Sequence, residues 1–256
     1  MVPVLERPEW GVSDRLIDVA FTPREDLLDG AVAIVVDVIR ATTTMLHALA
    51  GGFAEVWCVR TVEEARAVSE ELGSSGVLAG EREGIAPPGF ALGNSPLAFA
   101  DPPAAGQTLI LTTTNGTAAI IRAVDGAGEV LVGALVNLRA CATAAAELAL
   151  ARGANLTVCC AGVSGQPCLD DTYVAGLLVQ ELGSRLSGYC ATDAARLAQI
   201  CAASFETPEG ALRQSAGGRA LLALGDDADL MACARLDVLT ISPRAELAGN
   251  RVVVRG

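Results

Sequence analysis

Apolar and polar positions alternate in blocks along the chain, and the blocks predict short strands followed by helices. LIDVAF (16–21) and AVAIVVDVI (31–39) open it. The second is a continuous β-branched run, as a strand covered on both faces requires. TTTMLHALAGG (42–52) reads as a helix with a threonine start and a Gly-Gly stop. EVWCV (55–59) predicts a strand and residues 61–73 a helix, with a capping box from Thr61 to Glu64 and an end at Gly73. Further strands are expected at 77–81, 108–114, 129–135 and 155–162, and helices at 116–124, 137–153 and 170–186. Residues 192–234 read as three or four short helices. DVLTISP (237–243) with RVVVR (251–255) reads as a closing strand pair. Strands and helices alternating at short spacing imply a mostly parallel sheet with helices on both faces. The expected fold is therefore a three-layer α/β/α domain over residues 1–256, with a short helical region near the C-terminus.

Composition sharpens this picture. Of the 256 residues, 52% are hydrophobic but only 4% aromatic, so the core is aliphatic. All 18 basic residues are Arg, and His47 is the one histidine. Without lysine there is no Schiff base and no Walker A loop. Without a second histidine there is no two-His metal site. The net charge of −12 argues against a nucleic-acid partner. MVPVLERPEWG at the N-terminus lacks the apolar stretch of a signal peptide, and no transmembrane helix is expected. The eight cysteines show no paired C-x-x-C spacing and read as buried thiols of a cytoplasmic protein.

In open α/β sheets ligands bind at the carboxyl ends of the strands, so the polar segments following each strand are the candidates for chemistry. Asp37-x-x-Arg40-x-Thr42-Thr43-Thr44 closes the most apolar run. A buried acid needs a partner or a metal. Arg40 either pairs with Asp37 or grips a phosphate bidentately, and the Thr hydroxyls with a helix start suit an anion. The plainer alternative is an N-cap run with a structural ion pair. Thr113-Thr114-Asn115-Gly116-Thr117 repeats the pattern, and an ordinary turn explains it equally. Glu81-Arg82, leading into GFALGNSP with Asn94 and Ser95, belongs to a loop longer than a connection needs. Asp170 and Asp171 open a helix, where the dipole favours carboxylates. Together with Asp37 and Glu81 they would form an oxygen-only site suited to Mg²⁺. Cys160 ends a strand and is a candidate thiol, although buried structural cysteines are more frequent. The C-x5-R at Cys190…Arg196 has no glycine loop to wrap phosphate, and Asp227-Ala228-Asp229 has D-x-D spacing but lies in helical sequence.

Taken together, D-V-I-R-A-T-T-T (37–44), G-E-R-E-G (80–84), G-F-A-L-G-N-S-P (89–96), T-T-N-G-T (113–117), C-A-G (160–162), L-D-D-T (169–172) with Ala175-Gly176, and Leu224-Gly225 through Cys233-Ala234 resemble the 2-phosphosulfolactate phosphatase family over about 200 residues. The resemblance implies a Mg²⁺-dependent phosphatase that converts 2-phospho-3-sulfolactate to 3-sulfolactate and phosphate, on a route to coenzyme M. It implies catalytic roles at Asp37, Arg40 and Cys160. Phosphate would be bound by Thr42, Thr43, Arg82, Asn94, Ser95, Thr114, Asn115 and Gly116, and the metal by Asp37, Glu81, Asp170 and Asp171. A small phosphorylated anion is the expected partner and a homodimer the expected assembly. Two positions depart from the family pattern: Asp170-Asp171 replaces Glu-Asp, and Ser215-Ala216-Gly217-Gly218 replaces Ser-x-His-Gly. The alternative reading is a non-catalytic anion or metabolite sensor on the same scaffold.

Overall fold

The computed structural model describes residues 15–23, 28–99 and 106–256. The leader reading of residues 1–11 and the end of the 82–103 loop lie outside the described residues. The strands are β1 (Leu16–Ala20), β2 (Val32–Val36), β3 (Glu55–Cys58), β4 (Gly76–Gly80), β5 (Thr108–Thr112), β6 (Glu129–Gly133), β7 (Leu156–Cys160), β8 (Cys190–Ala191), β9 (Arg244–Ala248) and β10 (Arg251–Arg255). The helices are α1 (Ala41–Ala50), α2 (Val62–Leu72), α3 (Gly116–Gly126), α4 (Leu138–Arg152), α5 (Leu169–Arg185), α6 (Asp193–Ala203), α7 (Pro208–Gln214), α8 (Ala216–Leu224) and α9 (Asp227–Cys233).

Among the described residues ten strands form one sheet in the order β4-β5-β3-β10-β9-β6-β2-β7-β1-β8. Two parallel blocks, β4-β5-β3 and β6-β2-β7-β1-β8, flank an antiparallel pair. That pair is β9 and β10, and it joins the blocks by antiparallel contacts with β6 and β3. The C-terminal residues therefore lie mid-sheet. This corrects the expected pairing of 237–243 with 251–255. The partner of β10 is Arg244–Ala248, and Gly249 turns the chain with φ 65°. A two-residue turn fixes the register, and it selects the polar-alternating RAELA over the more apolar DVLTISP.

Strands β2, β5 and β7, each paired on both sides, are buried at every position, as their largely apolar runs require. Thr61 caps α2 by accepting from the Glu64 amide at 3.0 Å, while the Glu64 carboxylate reaches the Arg60 amide at 2.8 Å rather than that of Thr61. Gly153 ends α4 in the left-handed conformation. Among the described residues no helix is long and apolar enough to cross a membrane.

Candidate active site

Loops from the carboxyl ends of β2, β4, β5 and β7, together with α8, enclose a cavity of about 350 Å³. Asp37, Arg40, Glu81, Asn94, Thr114 and Asn115 line it, so six of the residues expected from the sequence share one wall.

Asp37 follows directly on β2. Its carboxylate accepts from the Ala41 amide at 3.3 Å, which seats it on the first turn of α1. Gly116, the first residue of α3, comes so close that a Cβ there would lie 2.5 Å from Asp37 Oδ2 and against the Ala41 side chain. Glycine is what allows α3 to begin beside the acid. Burial pushes the Asp37 pKa up to about 7, reinforced by Asp170 and Glu81.

At the start of α5, Asp171 accepts from the Val38 amide through Oδ1 and from the Gly162 amide through Oδ2, both at 3.0 Å. It thereby ties the ends of β2 and β7 together. Asp170 is equally buried, yet among the described residues its Oδ1 has no hydrogen-bond partner. Both pKa values are raised, first by burial; for Asp171 the neighbouring Asp170 and Asp37 add to it. Ligand atoms of Cys168, Asp170 and Asp171 lie within 4.8 Å of one another. Burial and these two acids hold the Cys168 thiol well above its usual pKa, so it is a neutral neighbour of the carboxylates. An unpartnered buried oxygen among crowded acids suits a hard divalent cation.

Arg40 does not pair with Asp37. Its guanidinium donates to Asp229 at 2.5 Å, to Asp226 at 3.4 Å and to the Gly84 carbonyl at 3.2 Å. Ser95 donates to the other Asp229 oxygen at 2.6 Å. Asp226 and Asp229 were not expected at the site. Their sequence signal was the acidic DDAD stretch opening α9, which reads equally well as dipole-favoured helix-start acids.

Other expectations are corrected by position. Arg82 turns away from the cavity and donates to the Thr112 hydroxyl and the carbonyls of Glu81 and Arg60. The Thr42 and Thr43 hydroxyls are fully buried and bond back to the carbonyls of Asp37 and Val38, so they shape the loop and offer nothing to a ligand. Glu81 lines the cavity, but its oxygens accept from the Gly84 and Thr114 amides and the Thr114 hydroxyl, bracing the β4 loop against the β5 loop. Cys160 is fully buried and absent from the cavity wall. Burial and Asp171 push its thiol well above the usual pKa, which is the opposite of what a thiolate nucleophile needs. Asn94 is buried on the cavity wall with no partner for its Oδ1 among the described residues.

Two tight turns frame the cavity. Arg82–Ile85 and Val163–Gln166 each close with reciprocal backbone bonds of 2.9–3.0 Å. Glu83-Gly84 and Ser164-Gly165 hold positive φ at both central positions, the signature of a two-residue hairpin turn. On α8, a Cβ at Gly217 would lie 2.7 Å from Asp170 Oδ2, so the helix start sits against the acid cluster.

Among the described residues, a strand-end cavity lined by one guanidinium and set beside an acid cluster fit for a cation suits a phosphorylated anion. Comparison with known proteins makes this specific. The family model for 2-phosphosulpholactate phosphatase matches residues 19–247, and the chain belongs to that family. It is 40% identical over 224 residues to a probable 2-phosphosulfolactate phosphatase of Deinococcus radiodurans, covering 86% of this chain and 91% of the relative. Similar proteins bearing the same name occur in Thermus thermophilus (40% identical; 84% and 87% covered) and Clostridium acetobutylicum (32%; 86% and 92%).

Proposed function

We propose that the protein is a Mg²⁺-dependent phosphatase of 2-phospho-3-sulfolactate or a similar phosphorylated hydroxy acid. The observation that carries this reading is the buried Asp170 oxygen, without a hydrogen-bond partner among the described residues, beside the buried Asp37 and Asp171. Asp37, Asp170 and Asp171 would hold the ion, which supplies charge neutralisation at the phosphoryl oxygens. Asp171 is oriented for this by its two backbone amides. Arg40 lends its charge and the N–H groups not engaged by Asp229, Asp226 and Gly84 to the phosphoryl group, and Asp229, itself bonded by Ser95, holds the guanidinium in place. Asn94 and Asn115 offer amide groups from the same wall. In net terms, the oxygen of water bonds to phosphorus, the ester P–O bond breaks, and the released hydroxyl takes the proton.

The test is phosphate release from 2-phospho-3-sulfolactate and other phosphorylated hydroxy acids, with Mg²⁺ and with EDTA. Mg²⁺-dependent release is expected. Full activity in metal-free buffer would remove the metal role, and no release from any substrate would leave a binding protein.

A further inference from the structure

A second cavity, of about 170 Å³, adjoins the first. The two share Thr114 and Asn115, and the Val163–Gln166 turn gives Ser164 to one wall and Gly165 to the other. The Ser164 amide donates to Asn115 Oδ1 at 3.4 Å, so the T-T-N-G-T loop and this turn form the divide between the cavities. Among the described residues the two walls differ in charge. Asp37, Glu81 and Glu83 line the first beside Arg40, whereas Arg60 and Arg122 line the second. Arg60 follows β3, and its carbonyl accepts from the Arg82 guanidinium at 3.2 Å, which ties the backbone carrying Arg60 to the β4 loop. Arg122 belongs to α3 and donates to the carbonyl of Pro23, itself a wall residue, at 3.3 Å. Asp125 meets Arg60 at 3.8 Å, but both side chains are more than half exposed, so solvent screens the pair.

We infer that the second cavity is an anion site, which takes one tetrahedral oxyanion between Arg60 and Arg122. Two planar guanidinium forks can converge on the equivalent oxygens that a sulfonate and a phosphate both present. In a chain of net charge −12, two arginines on one cavity wall supply the local field that a dense anion needs. Two sources of that oxyanion fit. One is the sulfonate end of 2-phospho-3-sulfolactate, which rests on the phosphatase reading above. The other is free inorganic phosphate, which does not depend on it.

The experiment uses the double variant Arg60→Gln with Arg122→Gln, both at exposed positions where the fold should be kept. Calorimetric titration with inorganic phosphate in EDTA reads the site without turnover. In parallel, kcat/KM at saturating Mg²⁺ is compared for 2-phospho-3-sulfolactate and for 2-phospholactate, which lacks only the sulfonate. If the sulfonate is the occupant, the double variant loses about tenfold or more on the sulfonate substrate and stays within about twofold on 2-phospholactate, the scale of one charge-assisted hydrogen bond. If free phosphate is the occupant, its affinity falls by about tenfold or more and the ratio between the substrates holds. An unchanged ratio together with unchanged phosphate affinity overturns the inference and leaves the phosphatase reading intact. No hydrolysis of either substrate by the parent would remove that reading instead, and the phosphate titration then decides the anion site alone.

Discussion

Asp229 and Asp170 are both buried acids close to one cavity, and they differ in what meets them. Asp229 has the Arg40 guanidinium on one oxygen and the Ser95 hydroxyl on the other. Asp170 leaves an oxygen with no hydrogen-bond partner among the described residues, and Cys168 and Asp171 have ligand atoms within 4.8 Å of it. An acid satisfied by the protein is explained by the protein. One left bare in a dry site is costly, and the fold bears that cost only where something from outside completes it. The comparison therefore separates a positioning pair, Arg40 with Asp229, from a cluster built for a ligand.

The comparison breaks most visibly at Asp37. Asp37→Asn should lower kcat by about a thousandfold or more, with a melting temperature in EDTA equal to or above that of the parent, because one carboxylate is removed from a crowd. Near-normal turnover with a large fall in melting temperature would make Asp37 structural.

On the paired side, Arg40→Ala strands Asp229 in the interior and should cost about 3–5 kcal/mol, read by urea denaturation. Arg40→Lys should recover stability more than activity, since a point charge cannot replace a fork. Equal recovery of both would assign Arg40 to the fold alone.

Metal binding sharpens the contrast. Mg²⁺ at a hundred times its dissociation constant should stabilise the parent protein by about 2.7 kcal/mol. Asp170→Asn should weaken that gain, whereas Asp226→Asn should keep it. Equal loss in both would merge the two groups of acids.

A smaller effect is expected at His47, which lies outside both groups and has a buried Nε2 without a partner among the described residues. Burial, and then Arg235, lowers its pKa below 6.5. The unfolded chain therefore takes up the proton first as pH falls below 6.5, and stability declines in that window. His47→Asn should flatten the thermal-melt profile there. The smallest change is expected for Cys160→Ser, which should keep activity within about twofold, because the thiol is protonated and off the cavity wall. Complete loss with the fold intact would return Cys160 to the reaction.

Sequence by itself determined the periodic elements and the loops that matter. The apolar run ending at Asp37, the T-T-N-G-T turn and the D-D helix start are local patterns, fixed by burial, turn geometry and capping within a few residues. They set Asp37, Asn94, Thr114, Asn115 and the two α5 acids in the segments that follow β2, β4, β5 and β7. Even the resemblance to a phosphatase family rested on such short segments in order. What tertiary structure alone decided was pairing across distance. Arg40 meets Asp229, 189 residues away, instead of Asp37 three residues away; the direction of a long side chain depends on which acid the fold delivers to it. Arg82 is turned toward Thr112 for the same reason. β9 lies at 244–248 because a tight turn and the register with β10 outweigh local hydrophobicity. The apolar face of α8 entered the cavity wall only because packing set that helix against the Asp170 cluster, a relation no spacing along the chain expresses.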